Sequence, residues 1–438
     1  MQPKAAAAGD RALFVELGDV TADELHAAAA SVRARPDVLA CIVGHSSLYV
    51  VFSECADAIG AFEIDGKAAT ALPHSEGEFV VSFADDYAPD LCEFLAQVRI
   101  PRDEFLARID GLRLTARYLG FRAGFAYLEG WPAEWTMPRR PTSRPVARGS
   151  FAIAGTMAGF YPIDSPGGWN VLGRTGASLA HRLRAGDAIV IRPTLDRIVV
   201  SDELREEPLR IDGVSFSSPL ARVVGAVNYA NLERALPPGG PFDEVAAALA
   251  NRAVGNRDDA PIIECAMAGP RVTFRDRRVV AWFGAESELP HEQPFVVEAG
   301  SELTIGRIRN GLRGYLAIGD AQGVVAKVER GDRYVIRVMR GPHESPIGTV
   351  ECEVTSQLDR VGIRLRPLQP LGVRAPADLP SCGMQCGTIQ LHPDGSLVAM
   401  GPDHPVTGGY LQPLTLLWEE RWKLAQLAPG ERVTLLAV

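Results

Sequence analysis

Two glycine pairs in this chain each run straight into an aromatic residue: Gly167-Gly168-Trp169, and Gly408-Gly409-Tyr410 directly after Thr407. Without a Cβ, such pairs let backbone N–H groups approach a ligand and form an anion-accepting concavity. Trp169 and Tyr410 offer flat faces on which an amide or ureido ring can stack. Arg139, Arg140 and Arg174 add planar guanidinium forks that match a carboxylate or phosphate. The same residues also suit an architectural role, with Gly-Gly making barrel turns and the aromatic rings closing barrel ends.

The first pair and the three arginines fall in one block, Arg117 to Thr175, unusually dense in Gly, Pro, aromatic and Arg residues. The elements that must position it are mostly strands. Residues 11–75 read as a small α/β unit: strand Ala12 to Leu17, helix Thr21 to Arg33, strands Val38 to Val43 and Ser47 to Phe52. Thr21-Ala-Asp-Glu24 is a capping box, with Glu24 three residues after the cap. From Glu78 short strands dominate, with helices only at Asp90 to Val98 and Pro101 to Arg108. One template recurs at Arg184–Ile191, Glu298–Ile305, Glu329–Ile336 and Ala428–Leu435: a turn with central glycine, a polar residue, then an apolar strand. Each copy reads as a turn leading into a strand of a small barrel or curled sheet, and because closure solves the edge problem of many short strands, several β-barrel units are expected. The polar stretch 202–215 makes the domain boundary, and Phe242 to Ala253 is the one clear helix beyond it.

With 438 residues, 47% of them hydrophobic and 23% charged, the chain is expected to fold as two to four globular domains. A net charge of -9 argues against a phosphate backbone as partner. No apolar stretch approaches the roughly 20 residues of a spanning helix, so no membrane span is expected. Residues 1–9 lack the apolar core of a signal peptide and read as a frayed tail. Seven scattered cysteines without a C-x-x-C pair suggest neither a disulfide framework nor a zinc site, which fits a reducing cytoplasm. Of the eight histidines, only His392 and His404 flank a glycine motif, and both read as surface loop residues.

Ser165-Pro-Gly-Gly-Trp169, Gly173-Arg-Thr175, Pro138-Arg-Arg140 and Ile153-Ala-Gly155 together resemble the B subunit of bacterial 5-oxoprolinase, from about Ala12 to Arg192. The second half resembles the C subunit through Asp243 with Leu249–Asn256, Met267–Pro270, Arg313–Ile318, Asp359–Leu365, Gly387–Gln390 and Thr407–Tyr410. In urea amidolyase both halves form the carboxyltransferase region. The resemblance implies an α+β, mostly β chain: tandem cyclophilin-like β-barrel domains with a small N-terminal α/β subdomain. It divides the chain into a B-like domain at 1–207 (α/β subdomain about 10–76, barrel about 77–200) and a C-like domain at 208–438. It also adds Asp243 and Asn251 to the substrate- or anion-binding candidates, and leaves the catalytic residues unassigned.

The activity so implied is that of a B/C fusion working with a separate A-type subunit in the ATP-dependent hydrolysis of a cyclic amide, 5-oxoproline. ATP is the implied cofactor, although no G-x-x-x-x-G-K-[ST] loop occurs here. Two alternatives stand beside it. One is a biotin-dependent carboxyltransferase acting on urea or a related amide, with carboxybiotin on a separate carrier protein. The other is a degenerate, inactive binding or regulatory paralogue. That last reading draws on departures from the family pattern: a His is replaced by Ile109, a Pro by Ala123, a Gln by Met157 and a Thr by Ala158. Losing an essential donor of this kind costs about 2.7 to 4 kcal/mol of transition-state stabilisation.

Overall fold

The computed structural model describes residues 4–55, 75–177, 183–200, 208–326, 328, 330–374, 376 and 379–438. Four bodies follow one another along the chain. The first is a four-stranded antiparallel sheet carrying the helix Ala22–Arg33. Its strands Val38–Val43 and Ser47–Phe52 have the bounds that alternation and turn residues dictate. The helix opens on the expected capping box: Thr21 Oγ1 accepts from Glu24 N, and the Glu24 carboxylate accepts from Thr21 N. Thr21→Ala is expected to cost about 1 kcal/mol, read as a fall in the urea midpoint.

From Lys4 to Ala7 the supposed frayed tail is a strand. Lys4–Ala7 pairs antiparallel with Ala12–Glu16, Ala8 is fully buried, and Gly9 N donates to Arg340 O at 3.2 Å. An alanine run carries no apolar alternation, so its pairing is set by its neighbours rather than by a pattern of its own.

A closed seven-stranded barrel comes next, in the order Met157–Phe160, Ala126–Glu129, Arg113–Leu119, Ala188–Thr194, Glu76–Ser82, Asn170–Thr175, Ser150–Ala154. The helices Leu91–Val98 and Arg102–Ile109 pack Phe94 and Phe105 against Phe83, Trp131 and Trp135, with ring centroids 5.3–6.2 Å apart. An open eight-stranded sheet follows, spanning Val214–Phe216 to Arg309–Gly319 and carrying the helix Glu244–Ala253. The last body is a second closed seven-stranded barrel, from Val335–Arg340 to Arg432–Ala437.

All four copies of the turn-strand template lead into strands, and Gly186, Gly300 and Gly430 take the positive φ that such turns need. The first copy closes the first barrel by running parallel to Glu76–Ser82. The third and fourth run parallel to each other and help close the second barrel. The second copy leads into a strand of the open sheet, the other of the two settings expected for it. Of the stretch read as a domain boundary, residues 201–207 fall outside the described residues, as does Glu329, and Val214–Phe216 already belongs to the open sheet.

Candidate functional site

The two barrels meet at a corner built from both. On the first, the paired strands Arg113–Leu119 and Ala126–Glu129 set Tyr118 opposite Tyr127, and their rings stack at 4.2 Å and 13°. The hairpin loop between them is tight. Arg122 N donates to Gly120 O at 2.6 Å, Phe125 N donates to Arg122 O at 2.9 Å, and Phe121 sits at φ 61°. A left-handed backbone at a partly exposed phenylalanine costs on the order of 1 kcal/mol and marks a loop held in place by its surroundings.

On the second barrel, the short pair Cys382–Gly383 and Thr407–Gly408 presents Ser381 and Gly409 to that corner. Thr407 Oγ1 donates to Leu119 O at 3.2 Å, and His45 N donates to Ser381 O at 2.8 Å. Gly120 is required here, because a methyl on it would overlap Thr407 Oγ1 and fall 2.9 Å from Thr407 Cβ.

Ser381 adjoins the Tyr118 and Tyr127 phenols and offsets part of the rise in their pKa values. Burial pushes the Tyr127 pKa up to about 12, against the opposing pull of Arg139 and Ser381, and burial also raises Tyr118 and Tyr161. These phenols are therefore neutral hydrogen-bond donors at physiological pH. Trp169 stands edge-on to Phe125 and Tyr127 at 5.5 and 5.6 Å, completing an aromatic wall. Arg139 is exposed beside that wall and acts electrostatically on Tyr127 and Tyr161. His45 sits edge-on to Tyr118 at 5.9 Å, its pKa lowered by burial and by Arg117, so its imidazole is neutral.

The residues singled out in the sequence separate into two groups. Arg139, Gly168, Trp169, Thr407, Gly408 and Gly409 share this corner. Gly167 and Gly168 make room for side chains there: a methyl on Gly167 would strike the Tyr161 ring, and one on Gly168 would lie 2.9 Å from Arg139 Nε. Tyr410 points onward, its ring 4.4 Å from that of His392.

The others are engaged elsewhere. Arg140 donates to Asp90 at 2.5 Å and to Glu93 at 3.0 Å, and Asp90, itself buried, also pairs with Arg144. Arg174 Nε donates to Arg148 O at 2.8 Å. Asp243 is fully buried: it caps the helix Glu244–Ala253 through Ala246 N and accepts from Arg330 and Gln426. Asn251 is also fully buried and donates to Asp258 O and Ala260 O. His404, read as a surface residue, is 1% exposed.

The apolar replacements have packing roles. Ile109 and Ala158 are fully buried in the core of the first barrel, and Met157 packs on the apolar layer between that barrel and the N-terminal sheet. Met157 thereby belongs to the same apolar cluster as Tyr118 and Tyr127.

One Cys–His arrangement lies near the corner and is not a nucleophile pair. Gln412 N donates to His343 Nδ1 at 2.9 Å, so Nε2 carries the ring proton where it faces Cys382 Sγ at 4.0 Å. With its base already protonated on that side, and burial pushing the thiol up to about 12, Cys382 stays a thiol.

Sequence reasoning missed Tyr118, Tyr127, His45 and Ser381. The two tyrosines had a signal, since both flank a Gly-bounded hairpin and face the same side of paired strands. Ser381 and His45 had none.

Comparison with known proteins places these features in a lineage. The model of the carboxyltransferase domain, subdomains C and D, matches residues 3–189, and that of subdomains A and B matches residues 234–327 and 322–437. The B subunit of 5-oxoprolinase from Escherichia coli O157:H7 is 30% identical over 166 residues, 36% of this chain and 75% of the relative. The C subunit of 5-oxoprolinase from Escherichia coli K12 is 25% identical over 252 residues, 44% of this chain and 80% of the relative. Urea amidolyase of Saccharomyces cerevisiae is 24% identical over 285 residues, 48% of this chain but 15% of that enzyme. The crystal structure of a protein designated TTHA0988 superposes with a TM-score of 0.81 at 25% identity, covering 98% of this chain and 99% of that one.

Proposed function

Because the chain belongs to the carboxyltransferase-domain family, we propose that it acts as a fused counterpart of the B and C subunits of 5-oxoprolinase, opening a cyclic amide at the corner between its barrels. The observation that carries this is the shared construction of that corner: Tyr118, Tyr127 and Arg139 come from the B-like half, Ser381 and Thr407 from the C-like half. A fusion is the simplest way to hold such a site together.

In this reading the flat lactam ring of 5-oxoproline lies against Trp169 and Tyr127, and its carboxylate pairs with Arg139. The neutral phenols and the Ser381 hydroxyl face the amide as donors, stabilising charge that develops on its oxygen. ATP is a co-substrate whose hydrolysis drives the ring opening, and the enzyme is completed by a separate A-type subunit. The test is 5-oxoproline-dependent ADP release when the chain is mixed with an A-type subunit. Release that needs both proteins is expected; a folded chain that gives no stimulation rejects the reading.

Arg139→Ala is expected to raise the KM for 5-oxoproline about 10- to 100-fold, since a hydrogen bond to a charged group is worth roughly 1.5–3 kcal/mol. Arg139→Lys should recover part of that loss. An unchanged KM in both variants would remove Arg139 from substrate binding.

A second reading draws on the carboxyltransferase-domain models matched by both halves. It predicts decarboxylation of carboxybiotin that rises with urea. Ligand binding without turnover in either assay would instead identify a binding paralogue.

A further inference from the structure

We propose a second binding site, for a small organic carboxylate, in the cavity of about 400 Å³ between the open sheet and the second barrel. It is lined by Arg222, Glu264 and Arg313 from the sheet side and by Arg360 and Asp403 from the barrel side. Its volume falls within the range of small-molecule sites.

The argument rests on how the charges in its wall are shared. Arg360 takes most of the acid. It donates to both oxygens of Asp403 at 2.8 Å and to Glu264 Oε1 at 2.7 Å. The other oxygen of Glu264 accepts from Phe242 N and the Tyr315 hydroxyl, and Arg222 also reaches Asp403. Asp359 Oδ1 is engaged by the N–H groups of Val361 and Gly362.

Arg313 is therefore left over. It is 2% exposed, yet among the described residues its hydrogen bonds go only to the carbonyls of Ala425 at 3.0 Å and Asp359 at 3.4 Å. Its Nε is buried with no hydrogen-bond partner among the described residues, and the nearest carboxylate oxygen, on Glu264, is 4.0 Å away. The Phe242 ring, 4.5 Å from the guanidinium carbon, compensates only in part. Burial pulls the Arg313 pKa below arginine's usual value, as expected for a buried cation short of an anion.

A carboxylate entering the cavity brings an anion close to the Arg313 guanidinium that lines it, in a site of low dielectric where the attraction is strong. The rest of the lining fits an aliphatic body. Leu220, Ala266, Leu312 and Val361 are apolar, and Met267 stands half exposed at φ 63°. A flexible thioether held in a strained backbone at a cavity is an adaptable surface for a short chain.

The probe is sodium butyrate against butyramide, its uncharged counterpart, added to the full chain at constant ionic strength and followed by thermal shift and calorimetric titration. Butyrate is expected to raise the melting temperature and butyramide to leave it unchanged. Arg313→Met should weaken butyrate binding roughly tenfold or more. The melting temperature without butyrate shows whether that variant folds, since the carbonyls of Ala425 and Asp359 lose a donor. Leu220→Trp, which narrows the cavity without touching Arg313, should weaken it as well.

Arg139→Ala separates this cavity from the corner between the barrels and should leave the butyrate response intact. Equal responses to butyrate and butyramide, no response to either, or butyrate affinity that survives Arg313→Met would each overturn the proposal. So would a response abolished by Arg139→Ala, which would place the carboxylate at the corner.

Discussion

Gly120→Ala is expected to destabilise the chain by about 2–3 kcal/mol and, on the activity proposed above, to reduce 5-oxoproline-dependent ADP release roughly 100-fold. Rotating Thr407 could move its hydroxyl out of the way, at the loss of the bond to Leu119 O, but not its Cβ, which would still lie 2.9 Å from the new methyl. Thr407 is buried, so relief requires the two barrels to shift apart. That shift draws Ser381 away from Tyr118 and Tyr127, and displacements of about 1 Å at a reacting centre cost about two orders of magnitude. The double variant Gly120→Ala with Thr407→Gly removes the clash and should recover most of the stability. A single variant with unchanged melting temperature and activity would mean that the barrels are not locked at this point.

His404 should make the protein acid-sensitive well before its carboxylates titrate. Burial drives its pKa from 6.5 down to about 4, with Arg421 acting the same way and the Pro405 carbonyl and Asp403 opposing. Its Nδ1 is 2.7 Å from Pro405 O and so carries the proton, while Nε2 is buried without a partner among the described residues. The folded chain thus refuses a proton that the unfolded chain accepts. The contribution to stability is complete above pH 6.5 and is lost as pH falls toward 4, by up to roughly 3 kcal/mol. Urea midpoints measured across that range should fall steeply for the native chain and less steeply for His404→Gln. Parallel slopes would show that His404 does not titrate on unfolding. His45, His343 and His392 are shifted in the same direction, so the difference between the two proteins is the quantity to read.

What was legible in the sequence followed the range of the interactions involved. The capping box at Thr21 and the strands after it depend on residues a few positions apart, and they lie where local pattern puts them. The repeated turn announced strands through a glycine that needs positive φ, but not which strands would close barrels. That depends on parallel partners such as Glu76–Ser82, far along the chain. The candidate site was half legible for the same reason. Arg139 and Trp169 declare themselves by type, whereas Ser381 is an ordinary serine until the second barrel docks.

Thr407 and Leu119 meet across 288 positions, a contact no local pattern encodes. Apolar residues at 109, 157 and 158 read as lost chemistry because motif comparison carries no information about burial. In place, Ile109 and Ala158 are barrel core, where an unpaired polar group would itself be costly.

A site divided between two docked bodies is also a clamp. Whatever bridges Arg139 and Ser381 binds only when the barrels are seated together, so its binding free energy adds to the free energy of their docking. By the same linkage, a substitution that loosens the docking weakens the ligand to the extent that it depletes the docked population, however far it lies from the ligand itself. Gly44, Gly383 and the Asp10 carboxylate that accepts from Trp418 N at 3.0 Å are thus part of the affinity for any such ligand, although none of them needs to touch it.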